Sequence, residues 1–505
     1  MKTYNKLVIL LLLLVVSTSC TGGFLEEDSN PNALTPSVFW QKEEDILKGL
    51  TSVYGSLQPN MNWGAPFERY IVIDNYRSDE LDFRPDVGSW LQLASFINTP
   101  TNGVTNNEWV YLYRAINYAN QCIHNIPGVP NLEESKKEGY MAEARFLRAY
   151  FYYRLFINFG DRIPIFKTQI EGKEEEFYPP QAEAGELGKF ITEELAAVQA
   201  HLPEKSGTSS YAAGRATKYA AAAILGKYYM FTRDLAKAEK EFEKLIGKFE
   251  LMENFADNFS GLHKNNKESV FEVQFSGDRT GGLREYNRIA LHLASSNAEG
   301  YEEAYPSQWL FETMANDKTV DGKYSDRLYA TIIFDDPLTK PFYFKEGKGF
   351  KDYHSEGELF WHKYVTWDPS LSQYWDASAF NIPIVRYADV LLSYAECLND
   401  RGATAQAIEY INQVRARVNC KPLEASTSKE NVLKHLQEVE RPSELALEGS
   451  RWYDLVRWNI VEKALKEHKK PFVENYVASK HQLLPIPHAE FLLNPDWVQN
   501  PDFSK

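Results

Sequence analysis

AEARFLRAYFYYRLFINFGDRIPI, residues Ala142–Ile165, reads as the end of a long amphipathic helix and the turn that closes it. Extended back to Lys137, the apolar residues Met141, Ala144, Leu147, Phe151 and Leu155 recur every three or four positions, the period of one helical face. Gly160 stops the pattern and Pro164 follows, the usual order past a helix C-terminus. Phe146, Tyr150, Tyr153 and Phe156 share the helical spacing and are expected to pack inside. Arg145 and Arg148 sit in the same apolar run. A buried guanidinium without a partner is costly, so both are expected to meet carboxylates or carbonyls.

Upstream, Trp109–Ile126 carries the stripe Leu112, Ile116, Ala119 and Ile123, and a loop with Pro127 and Pro130 makes the two segments a helical hairpin. Two more pairs follow. Alanine-rich Arg215–Arg233 precedes Ala236–Lys248, and Val385–Asp400 precedes Ala403–Asn419 across the break DRG. Helix, short turn, helix is the tetratricopeptide-like unit. The second and third pairs begin about 170 residues apart, so the repeat is interrupted. The fold class expected is mostly α: a tetratricopeptide-like helical scaffold with a large loop-rich insertion containing short β elements.

Two regions carry the irregular material, about 59–107 and 270–383. The second opens on the β-like run SVFEVQF (Ser269–Phe275) and is rich in Gly, Pro, Trp and Tyr. Loops longer than about 15 residues are usually functional or disordered, and the aromatic content argues against disorder. Ligand is therefore expected there. The stacking candidates are Trp90, Trp309, Tyr305, Trp367 and Trp375, and the polar candidates are Asn75, Arg84 and Asp86.

The 505-residue chain is 44% hydrophobic and 25% charged, as expected of a globular protein with a proper core. Its net charge of −15 disfavours nucleic acid, whose binding rests on cationic contacts to phosphate. At the N-terminus, Lys2 and Lys6 precede ten apolar residues, Leu7–Val16, too few to span a bilayer. That order is a secretory signal peptide. Either cleavage follows Ser19 in the ordinary way, or Cys20 becomes the acylated first residue of a lipoprotein, the favoured reading. Cys122, Cys397 and Cys420 are an odd number and no disulfide scaffold. No HExxH or GxSxG occurs. DKTVDGKYSD (Asp317–Asp326) begins like a calcium loop, but its twelfth position is Leu328, so a turn at a helix boundary is the better reading. No carboxylate pair stands out as a glycosidase dyad.

Four stretches in order resemble the RagB/SusD family of Bacteroidetes outer-membrane lipoproteins. They are Ala142–Ile165, IPIVRYADVLLSYAECLND (Ile382–Asp400), ERPSELALEGSRWYDLVRW (Glu440–Trp458) and LLPIPHAEFLLNP (Leu483–Pro495). Pro442 and Ser443 follow Arg441 where the family commonly has a second arginine, and a proline there suits a helix start. Arg451 and Asp454, three apart, read as a structural ion pair or cap. The resemblance implies a signal peptide over 1–19, a surface tether over 20–35 and a SusD-like domain over 36–505. It implies a non-catalytic surface protein without cofactor, anchored in the outer membrane by lipid on Cys20. Glu26, Glu27 and Asp28 then resemble a surface-export signal. The implied cargo is oligosaccharide, passed to a SusC-like TonB-dependent transporter. A peptide-capturing lid is the alternative, and a surface glycosidase a more distant one.

Overall fold

The computed structural model of the chain describes residues 39–59, 65–173, 176–205, 213–278, 285–365 and 377–505. Cys20 and the acids Glu26, Glu27 and Asp28 lie outside the described residues.

The scaffold is a run of antiparallel helices: α1 (Glu43–Gly55), α2 (Gly103–Asn125), α3 (Glu134–Phe159), α4 (Glu186–Val198), α5 (Lys218–Phe231), α6 (Leu235–Glu243), α7 (Tyr387–Asp400) and α8 (Thr404–Arg417). Each packs on the next. The series includes α6 against α7, although residues 244–386 lie between them. The insertion is thus looped out of a helical stack whose order it does not disturb.

Local chemistry sets the helix ends. Asn102 accepts from the Thr105 amide at 3.1 Å to cap α2, and Thr217 does the same for the Ala220 amide on α5. Gly160 ends α3 at φ 84, where a β-carbon would be strained and would press on Leu483 at 3.0 Å. Small residues let α5 and α6 approach: a β-carbon at Gly226 would lie 2.7 Å from the Phe242 ring. Phe146, Tyr150 and Tyr153 are buried as expected, and Phe156 packs partly buried against the core. Arg145 and Arg148 both reach Glu194 of α4 at 2.7 Å, so the charges of α3 are used to join it to its neighbour.

Among the described residues the strands come in three short antiparallel pairs. β1 (Leu81–Phe83) pairs with β3 (Ala304–Pro306), β2 (Ser269–Val273) with β6 (Ile382–Arg386), and β4 (Ile332–Ile333) with β5 (Phe360–Trp361). The expected strand in SVFEVQF is β2. With β6 it closes the neck of the insertion.

A buried ion network fastens that neck to the C-terminal third. Arg386 reaches Glu268 at 2.7 Å, Glu444 at 2.5 Å and Glu448 at 2.7 Å. Arg417 also meets Glu444, and Arg327 reaches Glu444 at 3.0 Å and Glu440 at 2.8 Å. Asp317 bridges Arg327 and Arg415, so the first residue of the calcium-like sequence is spent on arginine at a helix end. The expected Arg451–Asp454 pair is corrected. Arg451 binds Asp79 at 2.7 Å, while Asp454 is held by Arg441 at 2.7 Å and Arg457 at 2.8 Å. Pro442 does not start a helix, which corrects the expectation: it lies within a continuous helical run from Lys429 to Leu445, directly after the π-turn Leu436–Glu440, where the helical hydrogen-bond spacing is already altered.

Candidate functional site

The β1·β3 pair joins the two irregular regions that lie far apart in sequence. Its register sets Asp82 against Tyr305 and Phe83 against Ala304. Beside it the chain from Lys351 to Phe360 folds back, with Gly357 at φ 82 supplying a turn that favours glycine. Between these segments lies a cleft of about 770 Å³, whose walls include Asp82, Asn297, Glu302, Tyr305, Tyr353 and Glu358.

Beneath the cleft is a small aromatic core of its own: Ile333, Phe350 and Phe360, with Tyr305, Tyr343 and Phe344 packed on it. The Tyr353 ring stacks on Phe344 with centroids 4.7 Å apart and planes at 6°. Its hydroxyl accepts from the Lys345 amide at 2.9 Å, and its carbonyl accepts from the Asn297 side chain. Tyr305 meets Phe360 edge-on, at 6.0 Å. His354 shares a 2.7 Å hydrogen bond with the Tyr343 hydroxyl, and burial depresses its pKa, favouring the neutral ring. Two tyrosines from different elements are thereby held against fixed neighbours.

The acids are held in a similar way. Glu302 accepts from the Ser296 amide at 2.5 Å, Glu358 from the Ser355 amide at 2.9 Å, and Asp352 from the Gly349 amide at 2.9 Å. An ionised carboxylate has about four acceptor positions, so each keeps capacity for a ligand hydroxyl. Glu303, behind Tyr305, has its pKa pushed up to about 7 by burial, against the pull of Arg84 at 3.3 Å.

The structure separates the eight expected contact residues. Tyr305 lines the cleft. Arg84 and Asp86 pair at 2.6 Å just beyond β1, near Glu303. Trp90 is a correction: it is 2% exposed, packed on Phe67 at 5.1 Å, with its indole N–H donating to Glu68 at 3.2 Å. Asn75 is also internal. It donates to the Tyr70 carbonyl in the helical turn Glu68–Ile73 at 2.8 Å and accepts from the distant Gly449 amide at 3.0 Å, so it satisfies backbone groups of two separate segments. Trp309 is half-buried, stacked on His468 at 3.9 Å, with the Arg451 guanidinium over its ring. Trp367 and Trp375 lie outside the described residues. Tyr353, Asn297, Glu302 and Glu358 were not singled out from sequence. The signal available for Tyr353 and Glu358 was modest, a glycine-punctuated run with aromatics, GKGFKDYHSEGELF, and Asn297 and Glu302 lie outside it.

A second cavity, about 80 Å³, lies inside the scaffold among Asp74, Arg154, Lys227, Arg441, Tyr453 and Asp454. It has room for a few waters rather than a sugar ring. Among the described residues no three His, Cys, Asp or Glu side chains come together as a metal site.

A helical stack with an inserted, aromatic- and carboxylate-walled cleft defines a ligand-binding protein. The chain belongs to the SusD family. The signature described as "SusD family" matches residues 267–503, and a second, described as "Starch-binding associating with outer membrane", matches residues 23–230. Similar proteins include SusD-like protein P2 of Formosa agariphila, 26% identical over 524 aligned positions covering 99% of each chain. Among solved structures, a SusD superfamily protein from Bacteroides vulgatus matches with a TM-score of 0.83 at 26% identity, over 92% of this chain and 99% of that one. A SusD-like carbohydrate-binding protein from Bacteroides fragilis matches with a TM-score of 0.70 at 25% identity, over 85% and 88%. The family is associated with the outer membrane.

Proposed function

We propose that the chain captures oligosaccharide at the cell surface in the cleft between β1, β3 and residues 351–360. It then passes the cargo to a SusC-like TonB-dependent transporter, held nearby by lipid on Cys20. The observation that carries this is the pairing of Tyr305 and Tyr353 with fixed acceptors around about 770 Å³, a volume suited to a few sugar rings. A sugar offers a C–H face to an aromatic ring and hydroxyls to carboxylates and amides, and this cleft supplies both. The carbohydrate-binding relative from Bacteroides fragilis supports the same reading. The role is binding without catalysis. Affinity in the micromolar to millimolar range, about −8 to −4 kcal/mol, suits a carrier that must release its cargo.

The test is calorimetric titration of the full chain, purified in detergent, with a panel of oligosaccharides. At least one should bind, and Tyr305→Ala or Tyr353→Ala should weaken it about tenfold or more, as for losing an aromatic anchor. Binding of extended peptides in place of any glycan would select the peptide-capturing reading. Shortened glycan products would overturn binding without catalysis.

A further inference from the structure

The charges around the cleft go beyond the capture of some glycan. Among the described residues its lining contributes four carboxylates, Asp82, Glu302, Asp352 and Glu358, and one lysine cation, Lys351. Lys351 is already drawn to Asp335 at 3.2 Å. Lys348, behind it, faces Asp352 at 2.8 Å. Lys470 lies buried beneath Asp82, 3.6 Å from its carboxylate, and its own pKa is lowered by burial. Arg84 is held between Asp86 and Glu303. Lys345, whose amide reaches Tyr353, is followed directly by Glu346. Among the described residues that line the cleft, only Lys351 could meet a sulfate or carboxylate as a full cation, since the remaining titratable base, His354, is buried and favours its neutral form.

Resting on the reading that this cleft holds oligosaccharide, we infer that its cargo is neutral or amino-bearing glycan, and that sulfated and uronic-acid glycans are excluded. The reason is the difference in what the walls can offer. Neutral hydroxyls donate to carboxylates in strong, charge-assisted hydrogen bonds. An anionic group would instead meet like charge on Glu302, Asp352 and Glu358, with no free guanidinium among the described residues that line the cleft. Even in water, two like charges about 7 Å apart weaken association about threefold, and an oligosaccharide with an acid on each ring meets several such pairs. Specificity built on repulsion of this kind needs no extra contact with the accepted ligand.

The experiment titrates the full chain, in detergent, with four probes of matched length: a neutral gluco-oligosaccharide, an oligogalacturonate, a sulfated galactan oligosaccharide and a chitosan oligosaccharide. Each is run at low and at physiological salt. Neutral or amino-bearing probes should bind with a Tyr305→Ala-sensitive signal. The anionic probes should bind at least tenfold more weakly and should gain affinity as salt screens the cleft. Glu358→Lys, on an exposed side chain whose folding is checked by its melt, should narrow that gap about tenfold. An anionic probe that binds best, loses affinity with salt and depends on Tyr305 would overturn the charge inference and leave oligosaccharide capture standing. No binding by any of the four would overturn both.

Discussion

Trp90→Ala tests whether a tryptophan of the irregular region, on the short helix Gly88–Ala94, belongs to the core or the ligand. The Trp90 ring lies 5.1 Å from Phe67, 6.3 Å from Tyr76 and 5.7 Å from His292, with 2% of the residue exposed. Its loss leaves a cavity among aromatics that cannot all collapse into it, and removes the donor to Glu68. Truncating a core tryptophan costs about 3–5 kcal/mol. Unfolding entropy near 2.1 cal/mol/K per residue gives a chain of this size about 1 kcal/mol per degree. The melting temperature should therefore fall by about 3–5 °C. Affinity for the glycan bound by the unmodified chain should change less than about twofold at a temperature where the variant is folded. Differential scanning calorimetry and isothermal titration on one preparation give both numbers. Tyr305→Ala should show the opposite pattern, with binding lost and the melt nearly kept. An unchanged melt with lost binding for Trp90→Ala would refute the reasoning and move that ring from the core to the site.

Three further outcomes are expected. Glu444→Gln removes the acid shared by Arg386, Arg327 and Arg417 and should cost about 3–5 kcal/mol, the scale for breaking a buried ion pair; a denaturant titration with an unmoved midpoint would contradict it. His468 is partly buried, which lowers its pKa, but hydrogen bonds to Asp79 at 2.7 Å and to Glu438 outweigh burial and raise it above 6.5. Its contribution is full below that ordinary value and is lost as pH rises through the raised one, so the wild-type melt should fall more steeply on that rise than the His468→Gln melt; parallel curves would remove the argument. Cys20→Ala should be exported yet no longer sediment with membranes, and fatty-acid labelling should mark the wild type alone; equal labelling of both forms would exclude the lipid anchor.

The helical pairs were legible because their information is local. Stripes at three- and four-residue intervals, Asn102 and Thr217 before their helices and Gly160 after its own depend on neighbours along the chain. The interruption was legible for the same reason, as a stretch where helical period fails and proline and tryptophan accumulate. Two misplacements show where local information stops. Trp90 looked like a loop aromatic, yet residues Gly88–Ala94 form a short helix that turns its ring inward onto Phe67, Tyr76 and His292. Arg451 and Asp454 had helix spacing for a pair, but Asp79 and Arg441 arrive from other parts of the chain and offer better geometry.

The cleft itself rests wholly on contacts between distant segments. Arg84 and Glu303, 219 residues apart, meet because β1 and β3 pair in one register. A shift of one residue would turn Tyr305 to the other face. Periodicity can say that a strand exists and which of its residues alternate, but not which strand it will find or at what register. That choice is made by the packing of the whole insertion on the scaffold, through Arg386, Glu444 and the small aromatic core under Tyr305 and Tyr353.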